Sequence, residues 1–104
     1  MTENQERETV GFVYFMDGAQ QGQIVKLYAG RNSLGTSEEC NLVLEGESIS
    51  AKHASVRYED ERYLLRDLDS RDGTFVNGKE IASYELEEND VIGVGDAKLK
   101  FKKL

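Results

Sequence analysis

The fold is decided by residues 67–78, whose sequence is DLDSRDGTFVNG. Within it, the polar segment 69–73 is followed by a short apolar run, Thr74–Val76, and then by the dipeptide Asn77-Gly78. Asn-Gly accepts the positive φ values of a type I′ turn, so it is the strongest hairpin signal in the chain. We therefore predict a tight hairpin in which Thr74–Val76 pairs with Lys79–Ile81.

Similar short apolar runs extend outward from this hairpin in both directions, separated by turn residues at intervals of about eight to twelve positions, which is typical of a sandwich or barrel. In Ala97–Phe101, apolar residues alternate with lysines, and Lys102 continues the lysine series, which favours a solvated strand face over a binding patch. No helical periodicity persists, so we expect no helix longer than about two turns. Further strands are predicted at Val10–Met16, Gly22–Tyr28, Leu34, Asn41–Leu44, His53–Tyr58 and Tyr63–Leu68. We predict that the last two form a second hairpin over the turn residues 59–62.

Composition limits the class of protein. The 104 residues carry a formal net charge of −7, which argues against binding the phosphate backbone of nucleic acids. A single cysteine, Cys40, and a single histidine, His53, exclude an internal disulfide and the usual zinc sites, so no metal or cofactor is expected.

We interpret residues 1–9 as a disordered polar tail and residues 10–104 as one domain. Without a signal peptide or membrane span, the chain is expected to be a cytoplasmic monomer.

Five segments, in this order and with these gaps, carry a family resemblance. They are residues 34–36 (LGT), 40–44 (CNLVL), 49–54 (ISAKHA), 67–78 (DLDSRDGTFVNG) and 86–95 (LEENDVIGVG). Together they resemble the forkhead-associated (FHA) domain. The resemblance implies an all-β, two-sheet antiparallel β-sandwich of about eleven strands, whose loops bind phosphothreonine peptides.

Carried over position by position, the resemblance assigns roles to individual residues. In the family, an arginine after a glycine and a serine in the next loop bind the phosphate, a histidine braces that loop, and an asparagine bonds the peptide backbone. The serine corresponds to Ser50 and the histidine to His53, but the arginine position holds Thr36 and the asparagine position holds Asp72. The family's structural motif positions match Gly35, Gly73, Thr74, Asn77 and Gly78.

The two departures at Thr36 and Asp72 weaken the expected phosphate site. Losing a charge-assisted arginine contact forfeits on the order of 1.5–3 kcal/mol, and an ionised Asp72 adds repulsion. Together they predict an affinity for phosphothreonine lower by roughly two to four orders of magnitude. Lys52 and Arg71 flank the loops and could return part of this loss, but as flexible charges. The predicted partner-binding residues are Thr36, Ser50, Ala51, Lys52, Arg71 and Asp72.

Three functions follow from this reading. The first is a non-catalytic protein–protein interaction module of FHA type that recognises its partner with weakened or no dependence on phosphothreonine. The second is phosphothreonine-peptide binding through Ser50, Lys52 and Arg71 in signalling. The third is an architectural FHA-like domain of a larger assembly, such as a secretion system. Ser50 and His53 could join an aspartate in a catalytic triad, but the chain offers no nucleophile elbow, so no enzyme is expected.

Thr9 is a further candidate. Some small members of the family carry a phosphorylated threonine in a tail that folds onto their own domain, and Thr9 follows two glutamates in the polar segment. Because Thr9 directly abuts the first predicted strand and an extended chain covers at most about 3.5 Å per residue, we expect that it cannot reach the binding loops of its own domain.

Overall fold

The computed structural model describes residues 7–104, and its regular structure is entirely β. No helix occurs between Arg7 and Leu104, so no helix there could span a membrane. The prediction of a two-sheet β-sandwich of eleven strands without a long helix is confirmed. The strands are β1 (Thr9–Phe15), β2 (Ile24–Tyr28), β3 (Gly30–Gly35), β4 (Leu42–Val43), β5 (Ala54–Glu59), β6 (Arg62–Asp67), β7 (Thr74–Val76), β8 (Lys79–Ile81), β9 (Ser83–Glu85), β10 (Val91–Val94) and β11 (Ala97–Lys103).

The two sheets contain six and five strands. The six-stranded sheet has the order β2-β1-β11-β10-β7-β8, and the five-stranded sheet has the order β4-β3-β5-β6-β9. The edge pair β3 and β4 is parallel, whereas the remaining recorded pairs are antiparallel, so the sandwich departs from a fully antiparallel one at this edge. The loop of residues 36–41 allows this by returning the chain alongside the end of β3, where Leu42 pairs with Leu34 and Val43 with Gly35.

Both predicted hairpins form, with turns set by left-handed residues. Asn77 has φ 52° and Gly78 has φ 88°, as a type I′ turn requires. In the second hairpin Glu59 pairs with Arg62, and only the two residues between them turn, with φ 56° at Asp60 and 65° at Glu61. This turn is shorter than the segment 59–62 that the sequence suggested.

The core lies between the two sheets and is built from the inward side chains of alternating strands. Ala97, Leu99 and Phe101 are all buried on the inner face of β11, as the alternation predicts. Tyr63 of β6 crosses between the sheets, because its hydroxyl donates to the carbonyl of Val10 in β1 at 2.7 Å. Burial raises the pKa of the Tyr63 phenol, which keeps this donor protonated.

Sequence patterning missed the first half of β3 because its residues are polar. Asn32 points into the core and is fully buried. Its side-chain amide accepts from the Tyr28 backbone N–H at 2.9 Å and donates to the carbonyls of Tyr28 and Val56 at 2.9 and 3.0 Å. Satisfied hydrogen bonds allow a polar side chain at a core position, so hydrophobic alternation fails as a signal here. The edge strand β9 is exposed throughout and was missed as well.

The predicted polar tail falls partly outside the described residues, which begin at Arg7. Within the described part, β1 begins at Thr9, one residue before the predicted first strand. Arg7 donates to the carbonyls of Ala29 and Arg31, each at 2.8 Å through Nη2, and its guanidinium lies over the Tyr28 ring. Ordered contacts therefore extend upstream of residue 10.

Candidate functional site

Three loops meet at one end of the sandwich: residues 36–41 after β3, 44–53 after β4, and 68–73 after β6. We call them the loop face. The Thr36 N–H donates to the Ser50 carbonyl at 3.2 Å, and the Arg71 N–H donates to Ser50 Oγ at 3.1 Å. Ser50 thus lies between the loop of Thr36 and the loop of Arg71 and Asp72.

Gly35 is required where the first two loops touch. A Cβ at this position would collide with the carbonyl oxygen of Ala51. The close approach lets the Ser37 N–H donate to that same carbonyl at 3.1 Å. Glycine is therefore needed here for space, and it sets the distance between Thr36 and Ser50.

His53 is fully buried and braces two loops. Its Nδ1 accepts the backbone N–H of Ser50 at 3.1 Å, and its Nε2 lies 2.8 Å from the carbonyl of Gly73. A backbone N–H can only donate and a carbonyl can only accept, so these partners require a neutral ring with its proton on Nε2. Both ring nitrogens are thereby occupied, which leaves neither to act as a base for the Ser50 hydroxyl.

Asp67 organises the third loop, a role that sequence reasoning missed. Its Oδ1 accepts from the Ser70 hydroxyl at 2.5 Å and from the Thr74 hydroxyl at 2.7 Å, while Oδ2 accepts the Ser70 N–H at 3.2 Å. Burial alone would raise the pKa of Asp67, but the hydrogen bonds from Ser70 and Thr74 outweigh it and hold the pKa below its ordinary value. The Asp-x-x-Ser spacing, a local turn pattern, is the signal that could have found this role.

The basic side chains of the loop face already have acidic neighbours. Lys52 Nζ lies 3.7 Å from Glu39 Oε1, and Arg71 Nε lies 3.7 Å from Asp72 Oδ1. Arg71 also donates through Nη2 to the Glu47 carbonyl at 2.6 Å. Each of the two basic side chains near Ser50 therefore already has a carboxylate neighbour within the loops.

The remaining motif residues occupy different places. Thr74 joins the Asp67 network, and Gly73 has φ 93°, which favours glycine. Asn77 and Gly78 form the β7–β8 turn at the far end of β7, where the Asn77 amide bonds Asp90. Ala51 is exposed at the loop surface. Within residues 7–104 no group of three or more His, Cys, Asp or Glu side chains could hold a metal ion, and Cys40 is buried.

Comparison with known proteins bears on this geometry. The family model of the FHA domain matches residues 28–95. The FHA domain-containing protein FhaA of Mycobacterium tuberculosis is 30% identical over 78 residues, which cover 75% of this chain and 15% of FhaA. The glycogen accumulation regulator GarA of Mycobacterium tuberculosis is 27% identical over 84 residues, covering 81% of this chain and 52% of GarA. The chain thus spans about half or less of the length of these relatives.

Solved structures agree with the sequence relatives. A domain from a study of phosphothreonine-dependent FHA domain interactions superimposes with a TM-score of 0.83 at 28% identity, covering 90% of this chain and 96% of that one. The FhaA FHA domain, solved in complex with the intracellular domain of Rv3910, gives a TM-score of 0.82 at 27% identity, covering 88% and 99% of the two chains.

Proposed function

This chain belongs to the FHA domain family, a family of protein-interaction modules, and we propose from that premise that its loop face binds a partner polypeptide with little or no dependence on phosphothreonine. In this proposal the domain acts as a non-catalytic adaptor. The contacts come from the exposed surfaces of Ala51, Lys52, Arg71 and Asp72, with Thr36 and Ser50 between them.

The main support for this proposal is the arrangement of charges around Ser50. A phosphate dianion needs charge-assisted donors, ideally an arginine fork, to offset its desolvation. Here Thr36 supplies only a hydroxyl, and a phosphate would have to displace Glu39 from Lys52 and Asp72 from Arg71. Both ion pairs are exposed and individually weak, but the carboxylates remain nearby and repel an incoming dianion.

A second candidate is phosphothreonine recognition through Ser50, Lys52 and Arg71. It is supported by the relatives, since one similar domain is described as phosphothreonine-dependent. In this alternative, Arg71 releases the Glu47 carbonyl and swings toward the phosphate. The Ser50 hydroxyl, whose oxygen accepts the Arg71 N–H, donates its own hydrogen to a phosphate oxygen.

A paired titration tests the two candidates. The full chain is titrated with a degenerate phosphothreonine peptide library and with its unphosphorylated twin, followed by fluorescence anisotropy. An FHA domain with known phosphothreonine dependence serves as the positive control. We expect the two libraries to bind within about tenfold of each other, a difference of about 1.4 kcal/mol. A preference for the phosphorylated library above about a hundredfold, abolished by Ser50→Ala, would favour the second candidate and overturn the first.

A further inference from the structure

A second polar site lies on the outer face of the five-stranded sheet, beside the loop face. Along β5, Ala54 and Val56 point into the core, so Ser55 and Arg57 point outward. Neighbouring strands contribute further outward residues, and together they surround a cavity of about 290 Å³. We call this the arginine pocket; it is lined by Arg31, Ser55, Arg57, Leu64, Arg66 and Leu68.

The floor of the pocket carries a polar group without a partner. Ser55 is only 4% exposed, and its hydroxyl makes no hydrogen bond with any residue from Arg7 to Leu104. Its Oγ is not one of the fully buried polar atoms that lack a partner, so it remains open to the pocket and can hydrogen-bond an atom of a bound ligand.

The arrangement of the arginines in the pocket does not stabilise the fold. Arg31 and Arg57 stand directly opposite each other in the β3–β5 register, and like charges in that relation destabilise a sheet. Among the described residues Arg31 and Arg66 form no ion pair, and Arg57 has only Glu59, at 3.3 Å. By contrast, Arg62 on the same strand as Arg66 lies outside the pocket and pairs with Glu85 at 3.8 Å.

We propose that the arginine pocket binds an oxyanion, a carboxylate or phosphate group presented by a partner polypeptide. Three guanidinium groups around one hydroxyl supply planar forked donors suited to such a group. Three arginines grouped on one face are also unexpected in this chain, because its net charge of −7 already favours solubility without added positive charge. This site adjoins the loop face at Leu68 but is otherwise formed by residues of β3, β5 and β6, whereas Ser50 lies in the loop before β5.

The test follows amide chemical shifts of the full chain at low ionic strength. The probes are inorganic phosphate, a glutamate-rich peptide, its glutamine counterpart, and a phosphoserine peptide. We expect saturable shifts at Ser55, Leu64 and Arg66 with phosphate, the glutamate peptide and the phosphoserine peptide, and none with the glutamine peptide. The relative affinities of the glutamate and phosphoserine peptides identify which oxyanion the pocket prefers.

Matched variants test whether the arginines of the pocket are needed for binding. Arg31→Gln with Arg66→Gln should weaken binding by at least about tenfold, the equivalent of one charge-assisted contact. Arg62→Gln, on the same sheet, should bind as the native chain does. Since Arg31 opposes Arg57, Arg31→Gln should leave the melting temperature unchanged or higher. The proposal would be overturned by an equal loss of binding in the Arg62 variant or by the absence of saturable shifts. It would also be overturned by shifts confined to Thr36 and Ser50, which would locate binding at the loop face instead.

Discussion

Thr36 and Asp72 lie in loops on either side of Ser50, and they are the two positions at which we predict a departure from the FHA ligand pattern. Their surroundings are otherwise those of an intact site, because Gly35, Ser50 and His53 keep the contacts that hold the loops together. Both side chains lie at the surface or half-buried, so changing them should disturb the fold little. The difference between this chain and a phosphothreonine binder is therefore expected to lie in a few polar contacts.

Repairing both positions should create phosphothreonine binding. Thr36→Arg adds a guanidinium fork near Ser50, and Asp72→Asn removes one negative charge and releases Arg71 from its ion pair. At roughly 1–3 kcal/mol for each change, the double variant should gain at least about a hundredfold in affinity for a phosphothreonine peptide, measured by calorimetry.

A matched control separates geometry from charge in this experiment. Thr36→Lys with Asp72→Asn carries the same net charge but lacks the fork, so it should gain less. The gain of the arginine variant should also shrink as salt is added. If the double variant folds normally and shows no phosphate-dependent gain, the loop face has diverged at more than these two positions.

At the scale of elements, the β6–β7 loop shows how a short polar segment becomes ordered. Asp67, at the end of β6, accepts hydrogen bonds from Ser70 and Thr74, and Ser70 in turn accepts the Gly73 N–H at 2.9 Å. The His53 contact with the Gly73 carbonyl ties this loop to the β4–β5 loop. The position of Arg71 and Asp72 thus depends on the half-buried carboxylate at the end of β6.

Asp67→Asn is expected to destabilise the domain by about 1–3 kcal/mol, because the amide presents a donor to hydroxyls that already donate to the carboxylate. Folding lowers the pKa of Asp67, so the ionised carboxylate stabilises the folded state. This stabilisation is fully present above the ordinary pKa of about 3.9 and is lost as pH falls through the pKa of the folded state. Urea unfolding as a function of pH should therefore show a shallower acid decline in the variant. Asp69→Asn is the control: Asp69 is exposed with φ 59°, a conformation that asparagine tolerates, and should leave stability unchanged.

At the scale of the whole molecule, the two ends of the sandwich are separated by the length of its strands. Thr9 begins β1 opposite Tyr28, and the Ala29 N–H donates to the Glu8 carbonyl at 2.8 Å, next to the start of β3. The other end of β3 leads into Thr36. At about 3.3 Å per residue, the strand Gly30–Gly35 places the loop face roughly 20 Å away.

Phosphorylation of Thr9 should therefore leave the loop face of the same molecule unaffected, because reaching it would require β1 to detach from β2 and β11. Amide shifts of Ser50 and Asp72 measured before and after phosphorylation test this. We expect changes limited to residues around Tyr28 and Ala29. Shifts at Ser50 and Asp72 that do not depend on protein concentration would contradict the prediction and show closure within one chain.

The sequence by itself determined the fold class and both hairpins. These features have local signals: Asn77-Gly78 specifies its own turn, and the alternation in Ala97–Phe101 specifies which face is buried. The spacing of the loop motifs within the chain was sufficient to predict the family, whose model matches residues 28–95.

Only the tertiary structure decided which distant residues face each other. The polar first half of β3 forms a strand because the buried Asn32 amide finds partners on β2 and β5, and His53 braces two loops because they converge on its ring. Arg31, Arg57 and Arg66 share no periodicity in the sequence, and they meet only because strand register sets them side by side on one face. Register depends on long-range pairing across the whole sheet, which no local pattern of residues specifies.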